Sequence, residues 1–526
     1  MLNVSNLKIQ FGKKILFEDV NLSFTKGNCY GVIGANGAGK STFLKVIEGK
    51  IEPEKGTVSI DSGKRVSILS QDQSEFDNMR VIDTVLSGHK RLLEIIRLKE
   101  EIYSKENFTE VDGILAGELE AEFSDLSGWE ADANARSLLN SIGINEELHD
   151  KMMNEIDSII KVKVLLARAL FGNPDILILD EPTNNLELST IIWLENFLLN
   201  FENTVITVSH NRRFLNKVCT HICDIDYGKI NIFLGNYDFW YETSQLMLEQ
   251  KKDQNKKTEQ KAKELREFIA RFSANASKSK QATSRKKELE KLTIEDLTPS
   301  TRKYPYIDFK VDRLPGNDIL VVEGLTKKGY FENVSFRVLK NEKIAFFAEN
   351  NKNISVLFDI LMGKSKQDSG KFTYGKTIKK SYMPINNEIY FKNKQINLID
   401  WIKEYSDDNH EEYVRGWLGR MLFSGEEALK KVSVLSGGEK VRCVLAKLMI
   451  NSGNFIIMDE PTNHLDLETI TALNKGMINF KGNMLFASRD YEIVNTVADR
   501  IIEIKSCGTI DKKMTYDEFL EYKKTV

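Results

Sequence analysis

The chain has 526 residues, 41% of them hydrophobic and 29% charged, which is too long for one ordinary core and suits a globular protein of two or more domains. With 77 acidic against 74 basic side chains it has no whole-molecule field drawing it to nucleic acid, so any such surface must be local. No stretch approaches the roughly 20 apolar residues that cross a bilayer, and the start MLNVSNLKIQFGKK lacks a signal-peptide core.

In chain order, Phe11 comes first, an aromatic ring suited to stack on adenine. Next, CYGVI reads as a buried strand and STFLKVIEG as a helix. The turn between them, GANGAGKST at residues 34–42, matches G-x-x-x-x-G-K-[ST]. In that context the backbone N–H groups of Gly34, Ala35, Asn36, Gly37, Ala38 and Gly39 converge on phosphate oxygens, aided by the helix N-terminus. Lys40 is placed to hold the β- and γ-phosphates of ATP, Ser41 to offer its hydroxyl to Mg²⁺, and Thr42 completes the motif. Gln71, in ILSQDQ, is a candidate sensor of the metal and the γ-phosphate.

The helix-rich, charge-mixed GHKRLLEIIRLKEEIYSKENF then predicts an inserted helical arm at about 88–130. ILILDEP follows as a buried strand ending in Asp180, a ligand for Mg²⁺ directly or through water. Glu181 next to it is the candidate general base for the attacking water. His210, in TVSH, ends another strand and is placed to hold the γ-phosphate and water in line. The five cysteines are scattered and odd in number, which favours a reduced, cytoplasmic setting. Cys219, His221 and Cys223 lack a second ligand pair and read as ordinary packing.

From about residue 244 the composition changes. LMLEQKKDQNKKTEQKAKELREFIARF has good helix formers and no Gly or Pro; the pattern breaks at SANASKSKQATS and resumes as RKKELEKL. This predicts two helices joined by a polar tip. Residues 251–291 hold 14 basic and 6 acidic side chains, a local charge of 14 − 6 = +8. Arg271, Lys278, Lys280, Arg285, Lys286 and Lys287, with Phe272 beside them, suit contact with RNA phosphates.

The remainder repeats the beginning. DEPTNNLE starts at Asp180 and DEPTNHLD at Asp459, an offset of 459 − 180 = 279; VLLARAL and CVLAKLM, at Val164 and Cys443, give the same number. Earlier in each copy the offset is 314, from KGNCYGVIGANGAGKST at Lys26 to KNEKIAFFAENNKNISV at Lys340. The difference of 35 residues is the interval that contains the arm. In the second copy Gly34 becomes Ala348, Gly37 becomes Asn351, Gly39 becomes Asn353, Lys40 becomes Ile354 and Thr42 becomes Val356. Arg489 stands at the place of His210, while Asp459 and Glu460 are kept.

These motifs together resemble the ATP-binding cassette superfamily, specifically its ABC-F branch, over nearly the whole chain. The resemblance implies an α/β fold: two tandem ABC-type P-loop NTPase domains joined by a helical-hairpin linker. Its boundaries here are 1–243, 244–310 and 318–526. It implies Mg²⁺-dependent ATP hydrolysis and binding to the ribosome, with the linker reaching rRNA and tRNA. It also implies a monomer without membrane segments whose cassettes pair within one chain. In the superfamily each ATP lies between two cassettes, one giving the P-loop and acids, the other an LSGGE-type signature. Here the signature is LSGGEK in the second copy, with Ser436, Gly437 and Gly438 facing the γ-phosphate; the 279 offset puts IDSIIK, residues 156–161, in its place in the first. All these losses fall on one composite site, so one intact and one degenerate site are expected, by functional asymmetry or by tolerated drift. An energising subunit of a transporter, and a nucleotide-gated binding protein with little turnover, remain the alternatives.

Overall fold

Parallel strands covered on both faces read as unbroken apolar runs, and ILILD and TVITV are two such runs. In the computed structural model they lie at the centre of a sheet. The structure describes all residues except 13, 70–73, 106–107, 185, 273–283, 287–288, 290–301, 349, 393–394, 506–507 and 526. The chain divides into two units: Met1–Ser209 with Phe214–Thr301, and His210–Arg213 with Arg302–Val526.

The strands of the first unit are β1 (Leu2–Phe11), β2 (Lys14–Phe24), β3 (Cys29–Gly34), β4 (Lys55–Ile60), β5 (Val66–Ile68), β6 (Ile176–Asp180), β7 (Thr204–Val208), β8 (His221–Asp226) and β9 (Lys229–Leu234). A six-stranded sheet runs β5-β6-β7-β3-β8-β9, parallel as far as β8, with β9 antiparallel at its edge. An antiparallel sheet, β2-β1-β4, lies against it through a shared core that includes Phe17, Phe24, Phe43 and Ile178. In β1 the inward set Leu2 and Val4 is re-phased to Leu7 and Ile9 by a bulge at Asn6, whose φ is +49°.

The second unit repeats this plan. Its strands are β10 (Leu320–Lys327), β11 (Phe331–Val338), β12 (Lys343–Ala348), β13 (Ser369–Tyr374), β14 (Lys380–Met383), β15 (Phe455–Asp459), β16 (Asn483–Ala487), β17 (Arg500–Ile504) and β18 (Thr509–Lys512). Their orders, β11-β10-β13 and β14-β15-β16-β12-β17-β18, match the first unit strand for strand. Left-handed backbone positions repeat as well. Asp19 pairs with Asn333, Gly27 with Asn341, Gly49 with Gly363, Gly56 with Gly370, Asn173 with Ser452 and Glu181 with Glu460, all at positive φ.

Two features belong to the first unit. An arm of two helices, Lys90–Tyr103 and Glu110–Asp125, is pinned by Arg91 to Glu122 at 2.6 Å and by Lys99, which sits 4.0 Å from the Phe123 ring centre. The other is a single 36-residue helix, Tyr237–Phe272. It starts inside the cassette, where buried Trp240 donates its Nε1 to Asp224 at 3.2 Å, and continues into the basic segment without a break. No Gly or Pro interrupts it, which is what a helix of that length requires.

Candidate functional site

The phosphate loop of the first unit joins β3, buried along its length, to the helix Lys40–Ile47. Gly37 (φ +77°) and Gly39 (φ +106°) occupy the left-handed region, which a residue with a Cβ rarely adopts. A side chain at Gly39 would also bring its Cβ within 3.1 Å of the Phe17 ring. The turn is closed by the Ala38 N–H donating to the Ala35 oxygen at 3.1 Å. Lys40 is buried and its Nζ lies over the loop, donating to the carbonyls of Gly34 (2.8 Å) and Ala35 (3.3 Å). Asn36, Gly37 and Ser41 are exposed, Ala35, Ala38 and Thr42 half-buried. Phe11, at the β1–β2 turn, is 54% exposed, an open ring face of the kind a base stacks on.

The acids sit at the C-terminal end of the neighbouring strand. Asp180 closes β6, and Glu181 turns the chain with φ +52° while its N–H donates to Val208 on β7 at 2.8 Å. Strain of this kind at a non-glycine residue is found where a side chain must be aimed. Thr183 and Ser209 share a hydroxyl contact of 3.3 Å that ties the two strand ends together. His210 lies two residues beyond β7. A serine hydroxyl and a carboxylate are hard oxygen donors, so Ser41 and Asp180 fit Mg²⁺, and the loop that leads into Lys40 fits a polyphosphate. Gln71 falls outside the described residues.

In the second unit the signature begins the helix Gly437–Ile450. Ser436 is its N-cap: its Oγ accepts from the Glu439 N–H at 3.3 Å while the Ser436 N–H donates back to Glu439 at 2.8 Å. The two glycines are required by their neighbour. A Cβ on Gly438 would lie 2.6 Å from the His464 carbonyl oxygen, and one on Gly437 would lie 3.2 Å from the His464 ring. The first-unit helix Ser158–Leu170 starts at the position that the 279 offset predicts. Its N-cap Asp157 makes no side-chain cap bond, and Ile159 and Ile160 fill the places of Gly438 and Glu439.

The second copy's own phosphate loop is rebuilt. The helix Asn351–Leu361 starts at the counterpart of Gly37, three residues before the position matching Lys40. Asn350 caps it, its side chain accepting from the Lys352 N–H at 3.0 Å. Neither Asn351 nor Asn353 adopts positive φ, so the repeat of left-handed positions breaks at these two residues. Asparagine can enter the left-handed region, as Asn333 and Asn341 do here, so the change follows from the helix itself, which Asn350 caps and Ile354 anchors in the core. Ile354, in place of the lysine, is 1% exposed in the hydrophobic core.

Around this helix the retained acids bind the chain itself. Ser355 donates to Asp459 at 2.6 Å, and Asn351 to Glu460 at 3.1 Å. The Arg489 N–H donates to Glu460 at 3.2 Å, with its guanidinium 3.4 Å away. Burial, together with the charges of Glu460 and Asp359, pushes the Asp459 carboxyl up to about 7 against the Ser355 hydrogen bond. Burial likewise raises Glu460, with Arg489 opposing. The backbone of the acids is nonetheless unchanged: Glu460 has φ +48° and donates its N–H to Ala487 at 2.9 Å, as Glu181 does to Val208.

Of the basic residues assigned to RNA, Arg285 and Lys286 are exposed on a short helical segment. Arg271 lies on the long helix, its side chain outside the described set, and Lys278, Lys280 and Lys287 also fall outside it. Among the described residues no group of three or more His, Cys, Asp or Glu side chains is arranged to hold a metal ion, and Cys219 packs 3.9 Å from Cys29, sulfur to sulfur. No described helix is long and apolar enough to cross a membrane. Sequence reasoning missed Asn350, a cap that only the rebuilt loop reveals, and Arg302, taken up below.

A family model described as ABC transporter matches residues 17–184 and 331–463, and a second of the same description matches 223–309. The chain is 56% identical over 526 residues to the uncharacterized ABC transporter ATP-binding protein YkpA of Bacillus subtilis (strain 168), covering 99% of this chain and 97% of that one. It is 30% identical over 535 residues to ABC transporter F family member 2 of Arabidopsis thaliana, covering 99% and 79%. Among solved structures, one of the archaeal ribosomal stalk protein aP1 in complex with the archaeal ribosome recycling factor aABCE1 aligns at a TM-score of 0.60 and 15% identity, covering 98% of this chain and 92% of that one. That likeness is one of fold. With tandem P-loop cassettes of one architecture and full-length identity to an F-family member, the chain belongs to the ABC-F family of ATP-binding cassette proteins.

Proposed function

We propose that this ABC-F protein hydrolyses ATP with Mg²⁺ at one composite site and uses the cycle to control its binding to the ribosome in the cytoplasm. The domains are residues 1–243 with the arm at about 88–130, the basic linker 244–310 and the second cassette 318–526, the two cassettes pairing within one chain. The observation that carries the reading is the rebuilt loop: left-handed positions on either side of it recur in both copies (Gly27 and Asn341, Gly49 and Gly363), but Asn351 and Asn353 lack the positive φ that Gly37 and Gly39 give the phosphate loop.

In the competent site Phe11 stacks on the adenine, the amides of residues 34–39 hold the phosphates, and Lys40 neutralises the β- and γ-groups. Mg²⁺, held by Ser41, Asp180 and Gln71, supplies charge stabilisation on the phosphate oxygens. Glu181 takes the proton from the attacking water, and His210 keeps that water in line with the γ-phosphate. Ser436, with the amides of Gly437 and Gly438, closes on the γ-phosphate from the second cassette. ATP thereby favours the closed pair and its cleavage releases it. The linker's local +8 charge, with Arg271, Lys278, Lys280, Arg285, Lys286 and Lys287, meets rRNA or tRNA phosphates.

The test is sedimentation of the Glu181→Gln protein through sucrose with ATP. Comigration with ribosomes that weakens steeply with salt is the expected result. Comigration with membranes, or no ATP dependence, overturns the reading.

A further inference from the structure

The chain re-enters the second unit from the linker at Arg302, and residues 302–318 run on as a strap without helix or strand. The strap lies along the helix Leu467–Asn479 from end to end. At its start the Arg302 guanidinium Nε sits 2.9 Å from Glu468 Oε1, the two side chains only 9% and 7% exposed. Further along, Ile307 packs on Gly476 so closely that a Cβ there would lie 2.8 Å from it, and Phe309 meets Phe480 edge to face at 6.1 Å. The strap also reaches the signature helix, where the Asp308 N–H donates to Met449 Sδ at 3.3 Å.

The helix Leu467–Asn479 begins just after His464, the residue against which Gly437 and Gly438 are packed. Its N-cap Asp466 accepts from the Thr469 N–H at 2.9 Å, so Glu468 stands in a fixed first turn. The first copy has Ser189 at the place of Glu468.

We propose that the buried Arg302–Glu468 pair is a positioning element for the signature: it ties the end of the linker to the helix that sets His464 under Gly437 and Gly438. A change in the linker on its partner then alters how the signature meets the γ-phosphate. The inference rests on the composite-site reading above. Two buried, oppositely charged groups hold one geometry only while both are present, which makes the pair directional where an apolar contact would slide.

The experiment measures ATP turnover of the full-length protein for Arg302→Met with Glu468→Leu, a neutral pair of similar volume. The control is Arg500→Met with Glu342→Leu and Asp511→Asn, a second ion pair (3.0 Å) in which Arg500 also holds Asp511, so both acids are neutralised with it. The neutral Arg302/Glu468 variant is expected to melt near the wild type and keep KM for ATP within about threefold, while kcat falls about tenfold or more. The control pair leaves kcat unchanged, and the swapped Arg302→Glu with Glu468→Arg recovers most of the loss. Should the neutral pair not fold, Glu468→Gln is read in its place. Wild-type kcat in whichever folded variant is read, or an equal loss in the control, overturns the inference. Ser436→Ala separates the two levels. If it leaves turnover intact, the composite-site reading falls; if it abolishes turnover while the neutral pair stays fully active, only the positioning role falls.

Discussion

Asn351 donates its side-chain amide to Glu460 across 3.1 Å, so the carboxylate at the second copy's general-base position is held by the chain itself. Arg489 reaches the same carboxylate from the other side. Glu181→Gln is therefore expected to lower kcat by about a hundredfold or more, with Glu460→Gln staying within about threefold of wild type. Phosphate release by the purified proteins, with Lys40→Ala as the inactive reference, decides it. Equal losses from the two substitutions would end the one-site account.

Restoring the lysine does not restore the loop. Ile354 is buried among Leu357, Phe358 and Phe346, and the helix already runs through the residues that a phosphate loop needs for its turn. Ile354→Lys places a charge in that core and is expected to destabilise the protein by about 3 kcal/mol or more without adding a second nucleotide. Urea unfolding and the stoichiometry of bound ATP analogue are the measurements.

The Asp459 carboxyl, pushed up to about 7 chiefly by burial, gives a signed pH dependence. The folded chain holds this proton where the unfolded chain releases it. The stabilisation is complete below the ordinary carboxylate range and is lost as pH rises through about 7. Stability should therefore fall from pH 5 to pH 8, with a slope from this group of at most about 1.4 kcal/mol per pH unit. Asp459→Asn should flatten the profile; an unchanged slope in that variant shows that the group is not the source.

The signature helix offers a test of stability against activity. Ser436→Ala removes a capping box and should cost about 1 kcal/mol of stability. Gly438→Ala drives a methyl to 2.6 Å from the His464 oxygen, so the loop must shift, and turnover should fall more than stability does. Thermal melting and turnover on both variants resolve the two effects. A Gly438→Ala protein with normal kcat removes the geometric argument for that glycine.

Much of the site was legible because it is written in short, spaced motifs. The 279 register placed IDSIIK against LSGGEK, and the helices do start at Ser158 and Gly437, one register step apart. FFAENNKNIS could be seen to lack its glycines and lysine, but not to have become a helix from Asn351 onward. That outcome depends on the Asn350 cap and on Ile354 fitting the core, a balance of local and tertiary terms that spacing does not carry. The helix from Tyr237 likewise outran the composition change at about residue 244, because its first turn is held by burial of Tyr237 and Trp240 in the cassette core and not by helix propensity. The Arg302–Glu468 pair spans 166 positions and leaves no local mark.

A loop that closes around a phosphate gains order only when the phosphate arrives; a helix that already exists gains nothing. ATP bound to the first copy at a hundredfold excess over Kd protects that half by about 2.7 kcal/mol. The second copy's own loop adds nothing to that, since its Asn350-capped helix leaves no turn for a phosphate to order; on the composite-site reading the second cassette shares the protection only through its signature. A fall in ATP is thus felt first at residues 34–42, where the phosphate orders the loop, and reaches the second cassette only by way of Ser436, Gly437 and Gly438.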